Sequence, residues 1–241
     1  GDTASLSSAA ATAFSLAWIL GLALMALVAA LGVPLLRWIN TPEEAMGGAT
    51  AYLLICCVGY VFQSVYNMLS GILRGLGDSR SPLLFVGVST GFNILGDILL
   101  IGVFGLGAAG AAIATVLAQL LCMGYGILYV KRRGFLFDFK RRSYRLDRQD
   151  ARHLLRVGTP VAIQEMLVMF SFIILEGIIN RLGLNASAAA GILDKVFLFV
   201  MIPTSSFNAS ISAMVAQNIG ANQPGRAVKC LWYGSLLSEG F

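Results

Sequence analysis

Long apolar runs separated by short polar breaks dominate this chain. Six can be counted: Ser8–Leu36, Ala51–Leu73, Pro82–Leu106, Ala108–Val130, Val157–Ile179 and Ala188–Val215, with a seventh starting near Ala227. Each reaches or exceeds the roughly 20 residues that a helix needs to cross a bilayer core. A lone span in hydrocarbon must satisfy its own backbone hydrogen bonds, so each run predicts an α-helix. The expected fold class is therefore all-α: a polytopic transmembrane bundle of six spans and part of a seventh.

Composition agrees. Hydrophobic residues make up 57% and charged residues 12%, against about 25% charge in soluble domains. Mean hydropathy is +0.79. The 27 glycines suit closely packed membrane helices. Cys56, Cys57, Cys122 and Cys230 lack metal-site or disulfide spacing and read as packing residues. The chain starts at Gly1 and ends at Gly240-Phe241 within an apolar stretch, so it reads as part of a longer protein.

The net charge of +5 raises nucleic acid as a partner, but the placement of charge excludes it. Ten of the 17 Lys and Arg fall between Lys131 and Arg156. With that linker on the cytoplasmic side, fourteen basic residues lie inside and two, Arg37 and Arg181, outside; Lys195 sits within a span. This follows the positive-inside rule. Three regions result: 1–130 with four spans, the basic cytoplasmic linker 131–156, and 157–241 with two spans and the start of a third. Asp147 offers an N-cap for an interfacial helix running through His153 and Arg156 into the fifth span.

Asp97 is the charge that does not belong. It sits inside the third run, where an ionised carboxylate costs on the order of 3 kcal/mol or more. Intramembrane ionisable groups usually mark ion paths or substrate sites. Asn93 lies one turn earlier on the same face. Thr115, across the outer turn, is expected at similar depth, about 9–12 Å below the outer surface. Asp97, Asn93 and Thr115 together offer hard oxygens for Na⁺ or a base for H⁺. Thr115 can equally bond its own i−4 carbonyl.

Other ionisable or polar groups fall within spans. Glu176 and Lys195 lie near the outer ends of the fifth and sixth spans and form a candidate ion pair; separate snorkelling is the alternative. Asp194 adjoins Lys195 and cannot face it on a helix. Gln164 and Glu165 follow Pro160, and line a cavity or sit at the interface.

Two motifs resemble enzyme chemistry. Gly105-Leu-Gly107-Ala-Ala-Gly110 matches a dinucleotide fingerprint but lacks an acid about 20 residues on. It reads better as a tight outer hairpin. Gly75-Leu76-Gly77-Asp78 resembles the GxGD element of intramembrane aspartyl proteases, whose chemistry needs a second carboxylate. The stretch also reads as an inside turn: Gly75 and Gly77 end one helix, Ser81 N-caps the next with Pro82 at N1, and Asp78 pairs with Arg74 or Arg80.

Several segments together resemble the MATE (multidrug and toxic compound extrusion) family. Arg74-Gly-Leu-Gly-Asp-Ser-Arg-Ser-Pro82 is similar to its RGxGDxRxP loop. Asn93-x-x-x-Asp97, Gly110-Ala-Ala-x-Ala-Thr115-x-x-x-Gln119, Val157-Gly-Thr-Pro160 and Gln217-Asn-Ile-Gly-Ala221 follow in family order. The resemblance implies helices three to eight and the start of nine of a twelve-helix, two-lobed transporter. Residues 1–130 would be the remainder of the N-lobe, and 157–241 the start of the C-lobe.

It implies a secondary antiporter, not an enzyme, in the bacterial inner membrane. Such a protein exports cationic or amphipathic compounds in exchange for H⁺ or Na⁺, with no other cofactor. Its partners would be the lipid bilayer and the remaining helices. By resemblance, Asn93, Asp97 and Thr115 match an N-lobe coupling site whose further aspartate lies on the first helix. The NorM type instead uses a seventh-helix glutamate, where this chain has Val168, with Glu165 three residues earlier. That departure favours the N-lobe mechanism and a DinF-like branch. The alternatives are a lipid-linked oligosaccharide flippase of the same superfamily, an intramembrane aspartyl protease, and a non-transporting scaffold.

Overall fold

The computed structural model describes residues 3–38, 43–132, 147–181 and 184–240. Most of the basic linker, 133–146, lies outside them, and so does its part in the domain expectation. The described residues form seven α-helices and no strand: α1 Thr3–Trp38, α2 Glu43–Gly75, α3 Arg80–Asp97, α4 Gly107–Arg132, α5 Arg148–Arg181, α6 Leu184–Gly220 and α7 Pro224–Glu239. A π-helical turn, Ile98–Val103, continues α3. Six segments are long and apolar enough to cross a membrane, counting α3 with its π turn as one. They fall where the apolar runs do.

The chain divides into two compact units, Asp2–Ala151 and Arg152–Phe241 with Gly1. In the first, α2 packs against both α1 and α4, and α3 packs on α4. Its core joins Phe14, Val65, Tyr66, Leu69, Leu73, Phe85, Cys122, Met123 and Val130. These positions recur at helical spacing on α2, so one α2 stripe is buried between two neighbours. In the second unit α6 packs on α7, and Phe172 of α5 meets Phe197 of α6 with ring centroids 6.4 Å apart.

The turn from α2 to α3 is built by its backbone. Gly77 has φ +89°, a left-handed conformation that costs glycine little. Its N–H reaches the Arg74 carbonyl (3.0 Å), and the Asp78 N–H reaches Leu73 (2.9 Å). That pair is a Schellman stop. The next helix starts at Arg80 rather than after Ser81, and the expected cap moves. Asp78 takes the role: Oδ1 accepts the Ser81 N–H (3.1 Å), while Oδ2 accepts the Ser81 hydroxyl (2.7 Å) and the Tyr129 hydroxyl (2.6 Å). A carboxylate at this position reaches both backbone and side chain, which a serine hydroxyl cannot do at once.

Asp147 caps α5 as expected, accepting from the N–H groups of Gln149 (2.8 Å) and Asp150 (3.1 Å). The start of α5 is tied to α1: Asp147 N–H donates to Thr12 Oγ1 (3.1 Å) and Ser8 Oγ to Asp150 Oδ2 (2.7 Å). The helix then continues unbroken into the span.

Candidate functional site

Asp97 ends the α-helical part of α3, and the wider π turn begins at the next residue. π turns inside helices often occur at functional sites. Here the Phe104 N–H bonds the Leu99 carbonyl (2.9 Å) and the Leu106 N–H bonds Leu100 (3.0 Å). Gly105 and Gly107 then reverse the chain with φ of +66° and +54°. Gly110 lets α4 return against the Leu100 carbonyl, which a Cβ would crowd at 3.0 Å. The G-x-G-x-x-G stretch is thus a hairpin that seats α4 beside Asp97.

Two of the three side chains singled out in the sequence, Asn93 and Thr115, meet. Asn93 Nδ2 donates to Thr115 Oγ1 at 3.5 Å, a long bond. Thr115 Oγ1 also donates to its own i−4 carbonyl, Ala111 (2.9 Å), while accepting from Asn93. Asn93 thereby keeps its amide oxygen as an acceptor. Asp97 itself is half-buried, and its Oδ1 is buried with no hydrogen-bond partner. Tyr52 of α2 lies within electrostatic reach of that carboxylate.

A buried carboxylate oxygen without a donor is costly. A proton or a small hard cation would remove that cost. One carboxylate, one amide oxygen and one hydroxyl suit H⁺ or Na⁺, and lack the soft or imidazole donors of transition-metal sites. Gln119, one turn beyond Thr115, carries a second buried oxygen without a partner. The sequence motif contained Gln119, but nothing in its spacing gave it a role.

A cavity of about 510 Å³ opens between α1 and α2. Leu24, Met25, Val28, Tyr52, Cys56 and Tyr60 line it, so its wall is mostly apolar with two phenols. Tyr52 places one end of this cavity near Asp97.

The C-terminal candidates do not assemble in this way. Gln164, Glu165, Glu176, Asp194 and Lys195 are all exposed, as is Val168. The Glu176–Lys195 ion pair is not formed among the described residues. Helical phase gives the reason: α6 meets α5 through Phe197, and Lys195, two residues away, points to the other side. Asp194, three residues from Phe197, shares its face instead.

Comparison with known proteins follows this geometry. The MatE family model matches residues 1–99 and 160–240. The chain belongs to the MATE family. MATE proteins are secondary transporters rather than enzymes. The probable multidrug resistance protein YoeA of Bacillus subtilis (strain 168) is 31% identical over 240 residues, 97% of this chain and 52% of YoeA. The probable multidrug resistance protein YpnP of the same strain is 31% identical over 187 residues, 77% of this chain and 41% of YpnP. The chain thus spans about half the length of the curated MATE relatives it matches. A solved MOP superfamily transporter from Pyrococcus furiosus superposes with a TM-score of 0.78 at 22% identity, covering 98% of this chain and 56% of that one. At that identity the likeness speaks to the fold alone.

Proposed function

We propose that this chain supplies the coupling half of a MATE antiporter. The protein would export cationic or amphipathic compounds, drugs among them, in exchange for H⁺ or Na⁺ by alternating access. The observation that carries this is the buried, unpartnered Asp97 Oδ1 beside the Asn93–Thr115 pair. Asp97 would take the coupling ion from the outer half of the membrane, assisted by Asn93 and Thr115. Ion and substrate must favour different conformations for exchange to be coupled. The neighbouring apolar cavity, with Tyr52 and Tyr60 on its wall, suits an amphipathic cation through apolar contact and cation–π attraction. The resistance-protein names of YoeA and YpnP support the same substrate class.

In this reading the protein lies in a bacterial inner membrane with the 131–156 linker on the cytoplasmic side. The remaining helices found in full-length relatives complete both lobes.

The test is dye efflux from cells expressing the gene product that carries this sequence, measured across pH and Na⁺. Asp97→Asn should lower coupled efflux by at least about tenfold while membrane insertion is unchanged, since an amide can neither take a proton nor neutralise Na⁺. Wild-type efflux by that variant, still responding to pH or Na⁺, would sink the proposal.

A further inference from the structure

Gln119 sits on α4 with its Oε1 buried and unpartnered. The reason lies on α2. A Cβ added to Gly59 would overlap Gln119 Oε1, and would press on Val116 Cγ2 at 2.8 Å. The carboxamide oxygen therefore occupies the space where any other residue at position 59 would place its side chain. Only a weak Cα–H contact can meet it there. This arrangement brings the α2 and α4 backbones close at one level.

That level is shared by α3. Ser89 Oγ donates to the carbonyl of Ala118, the residue next to Gln119. Three helices are thus tied together at a single height by Gly59, Gln119 and Ser89. Each carries part of the Asp97 site toward the outer surface. On α3, Asn93 and Asp97 lie one and two turns from Ser89. On α4, Thr115 lies one turn from Gln119. On α2, Tyr52 lies two turns from Gly59, within electrostatic reach of Asp97. The 3.5 Å Asn93–Thr115 bond is at the limit of hydrogen-bond length, so a small change in helix spacing would break it.

We propose that Gln119, seated in the Gly59 slot, is a positioning residue that sets the ion affinity of the Asp97 site. This rests on the coupling role proposed for Asp97. Displacing α4 from its seat on α2 would shift Thr115 against Asn93 and Asp97 on α3, and weaken ion binding.

The experiment is ethidium efflux by the same gene product. Half-saturating Na⁺ is measured at fixed pH, and the pH midpoint at fixed Na⁺, with maximum rate and membrane protein level recorded beside them. Gly59→Ala should push Gln119 out and shift the half-saturating ion concentration about tenfold to weaker binding. Gln119→Ala should shift it in the same direction by emptying the slot. The double variant Gly59→Ala with Gln119→Ala should fall closer to wild type than either single change, because the new methyl fills the vacated space. If Gly59→Ala does not accumulate in the membrane, Gln119→Asn withdraws the carboxamide without a clash and should give the same shift.

Unchanged half-saturation in Gln119→Ala and Gln119→Asn, with only the maximum rate or the protein level reduced, would overturn the positioning role. So would strictly additive single and double variants. Asp97→Asn run in parallel separates the two claims. If it abolishes ion response while the Gln119 variants leave half-saturation untouched, the coupling site stands and the positioning role falls.

Discussion

The two units of this chain solve the same problem differently. Residues 2–151 build an interior of their own, in which Val65, Leu69 and Leu73 are almost wholly buried. Between Arg152 and Val200 of the second unit, hardly any described side chain is buried by the chain itself. Both units have spans apolar enough to cross a membrane. In lipid, an apolar helix gains little from meeting another apolar helix, so exposure of Leu or Ile is no defect there. Polar residues are what tell the units apart. In the first, Asn93, Asp97, Thr115 and Gln119 face neighbouring helices. In the second, Gln164, Glu165, Glu176, Asp194 and Lys195 are exposed, and in hydrocarbon such groups require polar cover.

The largest expected effect tests whether this difference in packing is energetic. Leu69, 1% exposed, sits in the α2 core stripe, while Leu198 of α6 is 58% exposed. Leu69→Ala should cost about 2–5 kcal/mol, the range for a cavity in a packed core. Leu198→Ala should cost less than about 1 kcal/mol. Thermal unfolding of the detergent-solubilised variants gives both values. Equal losses would erase the contrast between the units.

Next in size are the helix starts. Asp78 caps α3 and also holds Ser81 and Tyr129. Gln223, at the start of α7, makes no side-chain cap bond. Asp78→Ala should therefore cost about 1–3 kcal/mol, because it removes the acceptor of two part-buried hydroxyls as well as a cap. Gln223→Ala should change stability by under about 0.5 kcal/mol. The same unfolding measurement decides, and a Gln223→Ala loss as large as that of Asp78→Ala would show an unrecognised role for the second turn.

Which parts of this were legible beforehand follows the range of the interactions. The spans were readable because hydrocarbon forces each run to satisfy itself locally. Asp147 was readable as a cap because its partners are two and three residues away. The pairing of Asn93 with Thr115 was readable because one short hairpin fixes their relative position. The bond from Tyr129 to Asp78 was not readable, because the two lie 51 residues apart. The π turn at Ile98–Val103 was hidden, since Ile-Leu-Leu-Ile-Gly-Val reads equally well as α-helix. What distinguishes it is packing against the returning α4 at Gly110. Gln119 was visible only as a motif residue, because its meaning depends on the missing Cβ of Gly59. The side that Lys195 faces was not readable, since helix phase is fixed by the Phe172–Phe197 contact.

The smallest effect compares two turns that stop their helices in the same way. In the first unit Gly77 occupies the left-handed position, at φ +89°. In the second, Asn222 occupies it at φ +58°, with its N–H on the Ile219 carbonyl (2.9 Å) and the Gln223 N–H on Asn218 (2.9 Å). The hydrogen-bond pattern is the same Schellman pair. Only the steric cost differs, because a Cβ in this region is disfavoured and asparagine tolerates it better than most residues. Gly77→Ala should therefore lose about 1 kcal/mol or slightly more. Asn222→Gly should be neutral or gain a few tenths of a kcal/mol, the relief of strain being offset by a more flexible unfolded chain. If Asn222→Gly instead lost as much as Gly77→Ala, the asparagine side chain would have to be doing something in the turn beyond adopting its backbone angle.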